Sequence, residues 1–554
     1  MPSFQNKKRV LYKFIIKKHV EIRHKVSFWG WSLSSKIFSA TTVGVNAHLV
    51  EVEADLSFGL IKFYIVGLPD KAINESKDRI RSAIKNSGLR LPQKLITVNL
   101  APADLKKEGV LFDLPISIAI LVAADFIDIP KKFIDETLFL GELSLDGSIR
   151  PVRGVLPIAH GAPKMGKKRL IVPRENVKEA SLIDGIDVVG VESLVQLISY
   201  LRGEAQLVPT KGSSENFIAK QEKHLIDFNQ VKGQWQAQRA LQIAAAGYHN
   251  ILFIGPPGSG KTMLAKRLTT ILPPLTFDES IETTKIYSIA GKLKYGSFVA
   301  RRSFRAPHHT ISQAGLVGGG SMPLPGEVSL AHNGVLFLDE LTEFKRPTLE
   351  VLRQPLEGKK VLISRANMSV EYPASFLLVA ALNPCPCGFY GDKSRECSCS
   401  ETQIAQYLGK LSGPLLDRID LHVNVPAVKY DELKSVAEKS KNNPSPRLRT
   451  TGKSSKEMFF EVSKAVEIQI KRLGNIRNSA MDPDQVEKHC VLEEDAEKKL
   501  KQAFEVLHLS MRGYHKILKI ARTIADLAAS EQILKQHIQE AIMYRSLDQV
   551  FNKK

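Results

Sequence analysis

Between Lys36 and about Arg202, apolar and polar residues alternate in short runs, "AHLVEVEADL" and "KLITVNLAPADL" among them, bounded by Gly and Pro. A period of two belongs to strands with one buried face. Helical stretches lie between these runs, so the pattern predicts a mixed α/β domain. The longest apolar run, "LPISIAILVAADFI" from Leu114, is broken by Asp125. It falls short of the roughly 20 residues that a membrane-spanning helix needs, and no membrane association is expected. "EAQLVPTKGSSENFIAKQEKH" has few large apolar residues and reads as a linker. A second α/β pattern opens near Asp227 and closes on the strand-like "IDLHVNVP" near Pro426. "EKSKNNPSPRLRTTGKSSKE" is a further connector, rich in Pro, Ser and Lys, and beyond it the period is helical. The expected boundaries are a basic extension over 1–35, an α/β domain over 36–205 and a linker over 206–226. A second α/β domain over 227–426, a linker over 427–455 and a helical domain over 456–554 follow.

A chain of 554 residues exceeds what one hydrophobic core supports, in keeping with several domains. The formal net charge of +20 favours a polyanionic partner, nucleic acid first. No RNA-recognition, zinc-finger or basic-zipper pattern accompanies that charge. Residues 1–35 carry eight Lys or Arg against one acid, Glu21, and are too polar for an export signal. Five cysteines without a signal-peptide pattern place the chain in a reducing cytoplasm. Four of them, Cys385, Cys387, Cys397 and Cys399, lie in "NPCPCGFYGDKSRECSCS". The turn-forming residues between the pairs let this loop fold back and gather four sulfurs. Four thiolates suit tetrahedral Zn²⁺, so these are candidate structural zinc ligands, with unligated thiols as the alternative.

"ILFIGPPGSGKT" is an apolar strand followed by Gly255-Pro256-Pro257-Gly258-Ser259-Gly260-Lys261-Thr262 and the helical "MLAKRLTTIL". That is a P-loop in its strand–loop–helix context, and its expected ligand is ATP. Its glycines let backbone N–H groups converge on phosphate oxygens. Lys261 is expected to reach the β- and γ-phosphates, and Thr262 to hold Mg²⁺. In "GVLFLDEL" a strand ends in Asp339-Glu340. Asp339 is expected beside Mg²⁺, and Glu340 is expected to polarise the attacking water. A further strand, "SFLLVAALN", ends at Asn383, which could orient that water. The three elements in this order form the arrangement of an AAA+ ATPase.

Further stretches carry a resemblance: "IVGLPDKAINESKDRIRSAIKNSG", "TVNLAPADLKKEGVLFDLPI", "FRAPHHTIS", "PGEVSLAHNGVLFLDEL", "LSGPLLDRIDLHV" and "HKILKIARTIADL". From Lys36 to nearly its end the chain resembles the ComM/YifB family of Mg-chelatase-like AAA+ proteins. The resemblance implies an α/β fold: an AAA+ P-loop NTPase core with a C-terminal helical lid, preceded by a Lon-protease-like α/β domain. It implies a homo-hexameric ring that uses ATP to drive branch migration or helicase activity on DNA, single-stranded or branched, during natural transformation. The alternatives are a chelatase-type motor for metal insertion and an ATP-dependent protease-like remodeller. By the same resemblance Arg418 in "LLDRID" matches the arginine finger, against a surface ion pair with Asp417 or Asp420. Arg512 in "SMRGYHKIL" matches the sensor-2 position, with Arg522 as fallback. The Ser–Lys dyad of Lon is absent, because Val110-Leu111-Phe112 and Pro157-Ile158 stand at its positions. His308 and His309 are expected to point apart. The glycine-rich stretch after them, with Arg301, Arg302 and Arg305 upstream, is expected to reach a phosphate backbone as a pore loop.

Overall fold

The alternation in "AHLVEVEADL" becomes a strand. β1 (Leu33–Val43) pairs antiparallel with β2 (Asn46–Ser57), in register from Leu33↔Leu56 to Val43↔Asn46. Val50, Val52, Ala54 and Leu56 of β2 face inward at every second position. β1 begins three residues inside the extension expected over 1–35. The computed structural model describes residues 33–105, 107, 109–213, 226–293, 298–320, 323–365, 368–392, 395–427, 453–506 and 509–545, so the rest of that extension lies outside. β3 (Phe63–Val66) and β4 (Leu95–Ala101) complete a sheet of order β1-β2-β4-β3. The apolar run from Leu114 is a helix, Asp113–Ala123, buried at nearly every position and packed on β1 and β2. Enclosure on all sides is why this helix shows no polar face.

β5 (Thr137–Phe139) comes next, followed by the two-stranded pair β6 (Glu142–Leu143) and β7 (Ile149–Arg150). β8 (Arg169–Pro173), β9 (Asp187–Val191) and β10 (Thr210–Lys211) then join β5 in a second sheet of order β10-β9-β8-β5. β10 lies within the segment 206–226 that composition marks as a linker. Its polar, exposed residues hide a strand whose partners are Val188 and Asp187. The next residue is glycine for a steric reason: a Cβ on Gly212 would lie 1.8 Å from the carbonyl oxygen of Ile183. Residues 33–213 make one compact unit, and the described residues from 226 onward make another.

The second unit is built on five parallel strands: β11 (Ile251–Ile254), β12 (Phe304–Arg305), β15 (Val335–Leu338), β18 (Leu377–Leu382) and β19 (Leu421–Asn424). Their order is β12-β15-β18-β11-β19. Every residue of β11, β15 and β18 is buried, which is the continuous apolar pattern of strands covered on both faces. Two antiparallel hairpins interrupt this framework. One is β13 (Gly318–Gly319) with β14 (Leu324–Pro325), and the other is β16 (Lys360–Arg365) with β17 (Met368–Pro373). The helical period expected from 456 begins at Ser455, where Ser454 and Glu457 form a reciprocal cap on the helix Ser455–Leu473. This helix and Met511–Leu527 pack on the helix Trp235–Gly247. Val462, Ala465, Ile517 and Ala521 therefore share one hydrophobic core with Leu241, Ile251 and Val379 of the sheet region. Residues 428–452 of the second expected linker lie outside the described residues. No described helix is long and apolar enough to cross a membrane.

One buried carboxyl makes the first unit sensitive to pH. Glu179 is 5% exposed and accepts a hydrogen bond from Asn176, whose Nδ2 also donates to the Val152 carbonyl. Burial pushes this carboxyl up to about 7, against the downward pull of Asn176. The folded state thus binds the proton more tightly than the unfolded state. The associated stability is complete below the ordinary carboxyl value of 4.5 and is lost as pH rises through about 7. Glu179→Gln, neutral throughout, should exceed the parent in stability by about 3 kcal/mol at pH 8 and match it at about pH 4 in chemical denaturation of the chain.

Candidate nucleotide-binding and coupling site

The parallel registers Ile254↔Leu382 and Leu338↔Ala380 end β11, β15 and β18 at one edge of the sheet. Gly255, Asp339 and Asn383 follow directly from those strand ends. Gly258 and Gly260 hold φ of 78° and 89°, a left-handed region that other residues avoid. A Cβ on Gly258 would meet nothing within 4 Å, so the loop is bare and open on that side. Lys261 Nζ donates to the carbonyls of Gly255 (2.8 Å) and Pro256 (2.9 Å) and to Asn383 Oδ1 (3.2 Å). Burial lowers the Lys261 ammonium from its ordinary value, and the Asp339 and Glu340 carboxylates act in the opposite sense. Thr262 Oγ1 donates to Asp339 Oδ2 at 2.6 Å. Ser259 Oγ is buried without a hydrogen-bond partner among the described residues. Glu340 sits at φ 50°, ψ 51°, and its N–H donates to Asp339 Oδ1 (3.0 Å). Left-handed backbone at a non-glycine residue costs roughly 1–3 kcal/mol, and it carries this carboxylate off the strand end into solvent. A bare loop, a buried cation, a hydroxyl–carboxylate pair and an exposed carboxylate can together hold a magnesium nucleotide and activate water.

Arg418 and Arg512 both line a cavity of about 700 Å³, and no residue of 255–262 does. Arg418 pairs with Glu357 and with the Pro414 carbonyl rather than with Asp417 or Asp420. Asp420 is taken up by Lys516 Nζ (3.3 Å), His249 Nδ1 (3.4 Å) and the Asn250 N–H (3.3 Å). Burial would raise the Asp420 carboxyl, but Lys516, His249 and Arg545 hold it well below the usual carboxylate range. Lys516 also donates to the carbonyls of Asp417 and Ile419, tying the Arg418 loop to the helix Met511–Leu527. Arg522 is 2% exposed and bonds Asp526 and the carbonyls of Glu531 and Ser530. It is a core cation, whereas Arg512 is exposed.

The expectation of basic residues reaching out beside the glycine-rich stretch fails for Arg302 and Arg305. Arg302 is held by Glu279 and the carbonyls of Pro273 and Asn333, and Arg305 is held bidentately by Glu327. Carboxylates at the base of the loop attract the guanidinium groups inward. His308 and His309 do not point apart, because their ring centroids lie 4.1 Å from each other in a turn rather than a helix or strand. The β16–β17 hairpin escaped the sequence reading. Its signal was the alternation of Val361 and Ile363 with Val370 and Tyr372 on either side of a polar tip. It packs on the glycine-rich β13–β14 pair. Tyr372 Oη donates to the Pro323 carbonyl (2.8 Å), and a Cβ on Gly318 would strike Ile363 Cδ1 at 2.6 Å.

The four loop cysteines do converge. Their Sγ atoms all lie within 4.8 Å of one another, with Cys385 at 3.3 Å from Cys387 and 3.6 Å from Cys397. These separations are far beyond an S–S bond of about 2.05 Å, and all four thiols are unbridged. Backbone N–H groups of Cys387, Gly388 and Cys399 point at sulfurs, and the Phe389 N–H helps draw the Cys387 thiol down to about 5. Against their backbone N–H contacts, burial and the neighbouring sulfurs push the Cys397 thiol up to about 12 and the Cys399 thiol up as well, so it is the gathering of four sulfurs that suits a soft divalent cation. The loop also bears on the P-loop, since Gly388 sits at φ 87° and a Cβ there would lie 2.6 Å from Pro257 Cδ.

Residues 227–433 match the family described as magnesium chelatase, subunit ChlI. Residues 52–176 match the family described as subunit ChlI of Mg-chelatase, and residues 452–545 match its C-terminal family. The chain is 44% identical over 520 residues to competence protein ComM of Haemophilus influenzae, which covers 93% of this chain and 98% of ComM. The chain belongs to the ComM/YifB family of Mg-chelatase-like proteins. YifB of Escherichia coli K12 is 41% identical over 517 residues, with the same coverage of both chains. Lon protease 2 of Bacillus subtilis is 30% identical over 166 residues, 28% of this chain and 30% of that protein.

The contact between the cysteine loop and the P-loop can be tested in this family member. Gly388→Ala should weaken binding of a non-hydrolysable ATP analogue about ten-fold, equivalent to ~1.4 kcal/mol. Gly391→Ala shares the left-handed backbone, at φ 77°, but its Cβ would meet nothing within 4 Å. It should bind the analogue as the parent does, which separates the Pro257 contact from backbone strain.

Proposed function

We propose that the chain is an AAA+ ATPase that assembles as a homo-hexameric ring and moves along single-stranded or branched DNA, promoting branch migration of recombination intermediates during natural transformation. The observation that carries this reading is the separation of two charged groups in one subunit. Lys261, Thr262, Asp339, Glu340 and Asn383 converge at the ends of three strands, whereas Arg418 and Arg512 line a cavity with no P-loop residue on it. A second copy that supplies the arginines, as subunits of a ring would, brings the two groups to one phosphate chain.

Magnesium-bound ATP supplies the electrophilic phosphorus. Lys261 and the bare backbone of 255–260 hold the phosphates, and Thr262 and Asp339 hold the cation. Glu340 takes a proton from the attacking water, and Asn383 orients that water. Arg418 of one subunit neutralises charge developing in the next subunit's site, a role worth about 10³-fold or more in rate, and Arg512 assists from the start of its helix. The paired hairpins β13–β14 and β16–β17 contact the DNA backbone, which needs no base-specific groups. Support for DNA comes from the net charge of +20, and support for a role in transformation comes from the printed name of the ComM relative, competence protein. The unit 33–213, which resembles the Lon proteolytic domain but lacks its Ser–Lys dyad, serves as an accessory domain. The C-terminal helices serve as the lid. A chelatase-type role is the second reading, favoured by the descriptions of the matching families.

ATP turnover with forked DNA, porphyrin or casein as stimulant discriminates these readings. DNA stimulation alone is expected, and porphyrin stimulation alone would overturn the DNA reading. If Arg418 acts across subunits, Arg418→Ala and Lys261→Ala proteins, each inactive, should regain a fraction of turnover when co-assembled. No recovery in verified mixed rings would place Arg418 outside the neighbouring site.

The cysteine cluster is proposed to hold one structural Zn²⁺ that stiffens the loop against Pro257 without entering hydrolysis. Purified protein should carry about one zinc per chain by elemental analysis, and Cys397→Ser with Cys399→Ser should lose it. Metal-free protein of full activity, prepared without chelators, would exclude that role.

A further inference from the structure

The cysteine loop meets the P-loop at two points. At its root, Asn383 Oδ1 accepts from Lys261 Nζ at 3.2 Å. Further along, Gly388 fits so closely that a Cβ there would lie 2.6 Å from Pro257 Cδ. Cys385 and Cys387 lie between these two contacts. The returning arm carries Cys397 and Cys399, and it is held to the outgoing arm by Arg395, whose Cζ lies 4.4 Å from the centre of the Phe389 ring. A rearrangement among the sulfurs therefore reaches the phosphate-binding backbone directly, through Gly388.

The sulfurs differ in access. Cys385 is buried, whereas Cys387, Cys397 and Cys399 are half-buried and open to a small solute. Cys387 Sγ lies 3.5 Å from Cys397 Sγ, and these two residues belong to opposite arms of the loop. Closing that gap to an S–S bond of about 2.05 Å draws Cys387 toward the returning arm. It also draws Cys387 away from Cys385, whose Sγ accepts from the Gly388 N–H at 3.2 Å. Gly388 follows Cys387 in the chain, so its fit against Pro257 cannot survive the shift unchanged. The fifth cysteine, Cys490, is buried against the Leu518 carbonyl in the helical region and takes no part.

We propose that Cys387 and Cys397 form a redox-modification site, at which a peroxide converts the two thiolates to a disulfide, displaces the proposed zinc and weakens nucleotide binding at the P-loop. The Cys387 sulfur attacks the O–O bond, forming a sulfenic acid and releasing hydroxide. The Cys397 sulfur then attacks the sulfenic sulfur, forming the S–S bond and expelling a second hydroxide. Each sulfur gives up one electron and the peroxide takes both. Cys385 and Cys399 remain, too few to close a tetrahedral site around the ion. A dithiol reductant reverses the step. The inference rests on the zinc and nucleotide readings above and adds a regulator that touches none of the reacting residues.

The experiment treats the full chain with hydrogen peroxide and follows three quantities: zinc released, cysteine state by peptide mass mapping, and affinity for a non-hydrolysable ATP analogue. A Cys387–Cys397 disulfide, loss of the zinc and analogue binding weakened about ten-fold are expected. Dithiothreitol with added zinc should restore the affinity. That reversal separates the cysteines from Met263, which is exposed beside Gly260 and whose sulfoxide is reduced enzymatically instead. Affinity in Cys397→Ser should not respond to peroxide, whereas Cys490→Ser should respond as the parent does. If Cys397→Ser fails to fold, the parent's peptide map and its reversal by dithiothreitol still decide the outcome. Reduced parent without zinc would defeat the zinc reading, while the disulfide and the affinity continue to test the switch. Reduced parent that does not bind the analogue would defeat the nucleotide reading and this inference with it. Parent that forms no Cys387–Cys397 bond under peroxide, or forms it and keeps its affinity, would overturn the inference and leave both readings intact.

Discussion

The second unit depends on a close approach at the end of β11, which lies between β18 and β19. A side chain at Gly255 would place its Cβ 2.1 Å from the carbonyl oxygen of Val425, just beyond β19. The chain can leave β11 between its neighbours only because that residue is glycine. Parallel pairing does the rest. Strands running the same way present their C-terminal ends on one edge, so the loops after β11, β15 and β18 meet there although they lie far apart in sequence. Lys261, Thr262, Asp339 and Asn383 come into hydrogen-bond contact as a consequence of that register.

A second constraint acts on the opposite group of charges. Asp420 is the shared acceptor that joins the Arg418 turn to Lys516 on a C-terminal helix and to His249 after the helix Trp235–Gly247. A buried carboxylate with several cationic or N–H partners is strongly bound in its ionised form. The turn bearing Arg418 is thus fixed to the helical region and would move with it. In a ring, displacement of the C-terminal helices in one subunit would then alter how its arginines meet the next subunit's phosphates. The cysteine loop plays a comparable part on the P-loop side, where Gly388 fits against Pro257. Each half of the proposed composite site is braced by an element outside the reacting residues.

Much of this was legible in the residues themselves. Period-two alternation located β2 and β4, and uninterrupted apolar runs located β11, β15 and β18, because burial on one or both faces writes directly into the pattern. Glycines at 255, 258 and 260 and the Asp339-Glu340 pair marked the site, because close approach to phosphate and cation binding tolerate few residue types. The cysteine spacing marked a loop that folds back on itself. What remained hidden had weak local signals. β10 is two polar residues whose identity as a strand depends on an available edge at β9. The β16–β17 hairpin is short, and its inward face is defined only by what it packs against.

The sequence by itself determined the element types, the P-loop and its partners, and the candidate ligands for nucleotide and zinc. Each of these rests on local composition or spacing. Tertiary structure alone decided which charged groups are available. Arg522 and Arg302 look as capable as Arg512 in sequence, but burial beside Asp526 and Glu279 makes them structural. Adjacent histidines carry no rule for their direction outside regular structure, and only the turn after β12 stacks His308 on His309 and places Nδ1 against Glu340. Charge and hydrogen-bonding capacity are written residue by residue, whereas the partner that uses them is set by long-range packing that no local window contains.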